Sequence, residues 1–147
     1  WEGIGKEGLP YLMELLKHPC HVMRYYAVKS IGKIASNEPE VIEALEKMTE
    51  EPDDRVAKMA QYALKRIKLV QTYGKRIHVT TEDVSLFSAP DKESAVIEKI
   101  PAGTEFVGLK WLIPGRYLSY YDYVKIIPTG ETGFINRYPH GVQTYMI

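Results

Sequence analysis

Residues 22–35, VMRYYAVKSIGKIA, and residues 55–68, RVAKMAQYALKRIK, are two renderings of one helix set 33 positions apart. The match extends outward in both directions. Leu9, Leu12, Leu15, Pro19, Met23, Ala27, Ile31 and Ile34 return as Ile42, Leu45, Met48, Pro52, Val56, Ala60, Leu64 and Ile67, and the basic neighbour Lys33 returns as Arg66. Self-similarity at this period marks a unit that cannot bury its apolar face alone and must stack on its neighbours. Such stacks present extended surfaces, so the period itself directs attention to binding rather than to chemistry.

Helical spacing of Leu9, Leu12, Leu15 and Leu16 predicts a helix over 7–17, and Met23, Ala27, Ile31 and Ile34 predict another over 22–35. His18-Pro19-Cys20-His21 forms the corner between them, with proline as the breaker. In the second copy Asn37 is expected to cap a helix, with Pro39 in its first turn and Glu40 completing a capping box. The next corner, Glu51-Pro52-Asp53-Asp54, offers Asp53 or Asp54 as the cap of a helix over 55–70. Gly74 reads as its stop.

Carried by the corner proline, the Met23-Arg24 and Val56-Ala57 pairs and the runs 26–34 and 60–67, this pattern resembles HEAT repeats, in particular the short bacterial type first associated with phycobilisome lyases. The resemblance covers residues 1–74, with repeats at 7–35 and 38–70. Two repeats are fewer than the three or so a solenoid normally needs. Shifting Ile34 back by 33 lands on Trp1, which is expected to hold the last core position of a preceding helix. The chain opens on Trp rather than Met, which points to a processed product or an excised fragment with more repeats upstream. Alternatively, the second domain closes the stack.

After Gly74 the composition turns to short β-branched and aromatic runs bounded by Pro and Gly. Strands are expected at 76–80, 84–87, 95–100, 104–112, 119–127 and 132–135. Turns are expected at Ala89-Pro90-Asp91, Pro101-Ala102-Gly103, Pro114-Gly115 and Thr129-Gly130. Six short strands in about 70 residues suggest a small barrel or sandwich. Residues 75–147 resemble a bacterial SH3 domain through Ser88-Ala89-Pro90, the run 95–104, Tyr123-Val124-Lys125-Ile126 and Gly130-Glu131-Thr132-Gly133-Phe134-Ile135. The long hairpin between Lys110 and Tyr120 is unusual for that family. The resemblance implies docking on peptide, on cell wall or within a molecule, and no chemistry. The expected fold is therefore α+β in two domains, an N-terminal α-solenoid of HEAT-like helix pairs and a small C-terminal SH3-like β-barrel. The short connection near 69–78 predicts that the barrel docks on the last helix pair.

Nineteen basic and nineteen acidic side chains cancel, with a pI near 7.1. The balance is local as well, with eleven of each sign in residues 1–72 and eight of each in 73–147. That argues against a nucleic-acid binder working through bulk charge. No stretch reaches the roughly 20 apolar residues of a membrane span. The single cysteine, Cys20, rules out an internal disulfide framework and leaves the compartment open.

His18, Cys20 and His21 crowd one corner with ligands suited to zinc or copper. Spacings of one and two cannot converge on an ion without a distinctive loop, and the second copy has Glu51, Asp53 and Asp54 instead. A structural corner is expected, with no metal and no cofactor. Gly3-Ile4-Gly5-Lys6-Glu7-Gly8 spells a dinucleotide fingerprint, but its physics requires a preceding strand, and the repeat alignment makes it a connector. No nucleophile, base and acid share an evident cleft.

The expected role is a non-catalytic scaffold or adaptor for protein partners, with assembly into a larger complex permitted but not required. Its surfaces would be a second-helix ridge of Arg24, Lys29, Lys33, Lys58 and Lys65, facing an acidic partner, and Tyr121 and Tyr123 of the barrel. The tyrosines are expected to be exposed if Val124 and Ile126 face the core; packing on the repeats or on hairpin 110–120 is the alternative. Two other roles stay open, a relative of the HEAT-type bilin lyases or an enzyme's accessory subunit, and a secreted module recognising cell-wall peptide or glycan.

Overall fold

The computed structural model describes residues 2–139 and 145–147, with backbone alone for 2–4. The expectation for Trp1 lies outside the described residues. Between Lys75 and Arg76 the chain divides into two compact units, taken here in turn.

The first described element is a 3-10 segment, Glu2–Gly8, kinked at Gly5, so the fingerprint-like glycines lie in a 3-10 turn rather than in a strand-to-helix turn. Four α-helices follow: α1 Leu9–Leu15, α2 His21–Ile34, α3 Pro39–Met48 and α4 Asp54–Tyr73. Pro10 and Pro39 sit in the first turns of α1 and α3, where a missing N–H costs nothing. Helices α1 and α3 pack on α2 and α4 respectively, and α2 packs on α4.

Most of the predicted periodicity supplies the core. Leu9, Leu12, Ala27, Ile31 and Ile34 are buried in the first copy, as are Leu45, Met48, Val56, Ala60 and Ile67 in the second. Met23 is exposed, however, Leu15, Ile42 and Leu64 are only half-buried, and Val41 is buried in place of Ile42. Each fully buried Leu or Ile contributes about 1.5–3 kcal/mol. Asp53 caps α4 as expected, its Oδ1 accepting from the N–H of Arg55 (3.0 Å) and Val56 (3.2 Å). Gly74 ends α4 by donating its N–H to the Val70 carbonyl at 2.8 Å.

The cap of α3 departs from expectation. Pro39 forces the residue before it into extended backbone, so the cap position is Glu38 (φ −60°, ψ 137°) and the start slips one residue past Asn37. No side chain caps this helix, and Asn37 Nδ2 donates instead to Gln71 Oε1 at 3.1 Å.

The second unit is one six-stranded antiparallel sheet in the order β1-β4-β5-β6-β2-β3. Its strands are β1 Ile77–Val79, β2 Val84–Phe87, β3 Val96–Ile100, β4 Glu105–Pro114, β5 Tyr120–Ile126 and β6 Thr132–Asn136, each within two residues of the expected span. Leu86, Ile100, Phe106, Val124, Ile126, Ile135 and Tyr145 form the core cluster. Buried Thr80 ties the end of β1 to the 101–104 turn. Its Oγ1 donates to the Pro101 carbonyl (2.9 Å) and accepts from the Thr104 N–H (3.0 Å). The β4–β5 pairing shifts register between Gly108 and Lys110 and again between Lys110 and Ile113. These irregularities turn the strand ends and set the direction of the long hairpin.

Candidate interaction surfaces

The histidine–cysteine corner is occupied by local bonds. His18 Nδ1 accepts the Cys20 N–H at 3.0 Å, which fixes the turn into α2, and His21 Nε2 lies 3.9 Å from Asp53 Oδ2. Cys20 is the exposed residue at the start of α2. Among the described residues, no group of three or more His, Cys, Asp or Glu side chains is placed to hold a metal ion.

The five expected cations do not form one open ridge. Arg24 reaches across the repeats to Glu51, with Nε at 3.0 Å and Nη2 at 3.3 Å from its carboxylate oxygens. Its Nη1 also donates to the carbonyls of His18 (2.8 Å) and Pro19 (3.0 Å), so its fork is spent clamping the two corners together. Lys29 is buried and Lys33 half-buried. That leaves Lys58 and Lys65 exposed, Lys58 lying 3.2 Å from Asp54 one turn earlier on α4. The correction has a plain cause, since the stripe that carries Lys29 also carries Gly32, which packs against α4.

Arg66, the second-copy counterpart of Lys33, is buried. Its Nη1 donates to the carbonyls of Gly32 (2.8 Å) and Lys33 (2.7 Å), and its Nη2 to that of Lys75 (3.4 Å). Desolvation lowers its pKa from the usual arginine value. The end of α2 thus gains the donors that its last turn lacks.

Tyr121 is the second correction. Only 1% of it is exposed. The hairpin folds Gly115 over its ring, so close that a Cβ there would stand 2.6 Å from it, and Phe87 meets it edge-on at 6.2 Å. Tyr123 is half-buried against Phe134, with ring centroids 4.9 Å apart. Val124 and Ile126 do face the core, and on the opposite side of β5 the hairpin covers Tyr121 while Lys125 stays exposed.

What stands out instead is the hairpin's tip. Leu118 is 97% exposed and Tyr117 75%, with Leu109, Leu112, Trp111 and Tyr120 also open to solvent. From Phe106 to Tyr121 the chain carries no carboxylate, only Lys110 and Arg116. Leu112, Tyr117 and Leu118 all have positive φ, from 56° to 58°. Left-handed backbone costs a side-chain-bearing residue roughly 1–2 kcal/mol, so the surroundings must hold the tip in place. They do so at both ends. Arg116 Nε lies 3.2 Å from Asp91, the Gly115 N–H donates to Ser119 O at 2.8 Å, and the Ser119 N–H donates to Arg116 O at 3.2 Å.

At the hairpin's root, fully buried Asp122 accepts the Leu112 N–H (3.1 Å), Arg137 Nη1 (2.9 Å) and the Tyr145 hydroxyl (2.7 Å). Arg137 also lies over the Trp111 ring at 5.7 Å, while His78 meets that ring edge-on at 5.3 Å. Burial and the Asp122 charge push the Tyr145 phenol well above its usual range. For Arg137 burial alone would lower the guanidinium, but its bond to Asp122, the charge there and Tyr138 raise it on balance. The sequence missed this network because its members stand far apart in the chain. The usable signal in the sequence is the unusual length of the hairpin between Lys110 and Tyr120.

A cleft of 680 Å³ beside β2 and β6 mixes Glu82, Asp83 and Lys99 with Phe87 and Ile135, and among the described residues its lining includes no histidine or cysteine. Among the described residues, no helix is long and apolar enough to cross a membrane.

The family profile for HEAT repeats matches residues 3–65, so the helical unit is similar to these repeats through most of its length. Such repeats are generally protein-interaction modules. No curated protein matches the chain, and no solved structure does.

Proposed function

We propose that this protein is a non-catalytic scaffold or adaptor whose HEAT-type helix pairs form a frame and whose sheet unit presents the 109–120 hairpin to a protein partner. The observation that carries this reading is the near-complete exposure of Leu118 and Tyr117 on a tip held by an ion pair, backbone bonds and a buried carboxylate. Rigid exposed aromatic and aliphatic side chains cost little entropy when they bind, and they are the usual anchors of protein interfaces. Lys58 and Lys65 would add a weaker contact to an acidic patch. The strand arrangement and the segment 130–135 support reading the sheet as a bacterial SH3-like barrel.

The test is gentle purification of the native protein, identification of what co-purifies, and measurement of that partner's affinity for Tyr117→Ser with Leu118→Asp. Both side chains lie outside the core, so the fold should be unchanged. The expected result is at least a tenfold weaker complex, about 1.4 kcal/mol or more. An unchanged affinity would refute the hairpin's role, and a protein that travels alone would refute the scaffold reading.

A further inference from the structure

The cancelling charges of the chain conceal a polarised helical unit. Residues 38–51, which include α3, carry six carboxylates and one lysine, whereas α4 carries one carboxylate and five basic side chains. The two repeats also join unevenly. Their second helices, α2 and α4, pack closely, with the Ala63 Cβ only 3.0 Å from where a Cβ on Gly32 would stand, while α1 and α3 barely touch. Between these first helices lies a groove of 440 Å³.

Buried Leu16 and Met48 and half-buried Met13 and Ala44 supply the groove's apolar lining. On α3, Glu40, Glu43, Ala44 and Lys47 follow the three-and-four spacing of one helix face, and Glu14 answers them from α1. The rim's cations are exposed Lys17 and Lys47, the second 3.4 Å from Glu43 one turn earlier. Carboxylates therefore outnumber ammonium groups on the rim, and exposed Glu46 and Glu50 extend the negative field beyond it. Both walls are helices, whose backbone groups are already bonded, so they offer no ladder to an extended strand. A helical occupant brings its own backbone bonds and needs only side-chain contacts.

We propose that the α1–α3 groove docks a basic amphipathic helix of a partner protein, with aliphatic side chains against Met13, Leu16, Ala44 and Met48 and lysine or arginine against Glu14, Glu40 and Glu43. The sign is opposite to that of the acidic partner expected for the second helices, and the site lies on the first helices instead. A second copy of this chain is a poor occupant. The exposed basic stripe of α4 reads Lys58, Gln61, Lys65 and Lys68, which offers charge without an aliphatic anchor. An adaptor needs two contact surfaces, and this one uses no residue of the hairpin, so either can fail without the other.

The test titrates three labelled helical peptides of about five turns with the full chain and follows fluorescence anisotropy. One peptide has leucines on one face and lysines on the other, the second has glutamates in place of the lysines, and the third has alanines in place of the leucines. The leucine–lysine peptide should bind at least about tenfold more tightly than either control, and added salt should weaken it. Glu40→Lys with Glu43→Lys should weaken it at least about tenfold at unchanged helix content, and so should Ala44→Trp, which fills the groove. Tyr117→Ser with Leu118→Asp should leave it unchanged. Equal binding of either control peptide, indifference to the rim reversal, or loss of binding in the hairpin variant would overturn the proposal. Self-association of the chain that the rim reversal abolishes would overturn it too, in favour of a second copy. Because Glu40 and Glu43 are exposed, the reversal decides the matter even if Ala44→Trp folds poorly.

Discussion

Each unit ties an arginine into its fold, Arg66 buried and Arg137 half-buried, and the two are bonded in different ways. In the helical unit Arg66 gives its donors to backbone carbonyls at the end of α2, and burial lowers its pKa. In the sheet unit Arg137 meets a fully buried carboxylate, Asp122, which also holds Tyr145 and the hairpin root. The helical solution joins one repeat to the next and is bonded to atoms that every sequence has. The sheet solution depends on a single side chain, and removing it strands two others. Fragility should follow that difference.

Asp122→Ala should have the largest effect. It leaves Arg137 and the Tyr145 hydroxyl without their shared acceptor, and breaking a buried pair costs about 3–5 kcal/mol. Denaturant unfolding followed by hydrogen exchange should locate that loss in the sheet unit. A loss shared equally with the helices, or none, would contradict the contrast. Arg66→Met should cost less, about 1–3 kcal/mol, because it uncovers carbonyl acceptors rather than a charge; the same measurement should place it at the α2–α4 seam.

Alkaline pH sharpens the comparison further. The folded Tyr145 phenol holds its proton more tightly than an unfolded one, so its contribution is intact below about pH 10 and declines as pH rises beyond it. The slope approaches about 1.4 kcal/mol per pH unit. Exchange-detected stability of the sheet unit should fall over that range, and Tyr145→Phe should flatten the fall. An unaltered slope in that variant would show that the phenol is not the cause.

The helical elements were legible in the sequence because each copy vouches for the other, and the strands because β-branched runs are cut by Pro and Gly. The α3 cap slipped because Pro39 constrains Glu38 more strongly than Asn37 attracts a helix start. The site was harder to read. Whether Tyr121 is exposed depends on Gly115 and Phe87, and strand alternation is silent about what covers the second face of a sheet. Arg24 looked like a surface cation because its partner, Glu51, stands 27 residues away in the next copy. Lys29 was misread for the same reason, since the side that α4 covers cannot be told from one helix alone.

The guanidinium of Arg66 spans the junction between successive repeats, so neither can melt while the other keeps its ends intact. Energetic coupling of neighbours is what makes a short array switch between folded and unfolded in one step. The first 75 residues should accordingly behave as a single cooperative block, with no half-melted intermediate in which one hairpin persists alone.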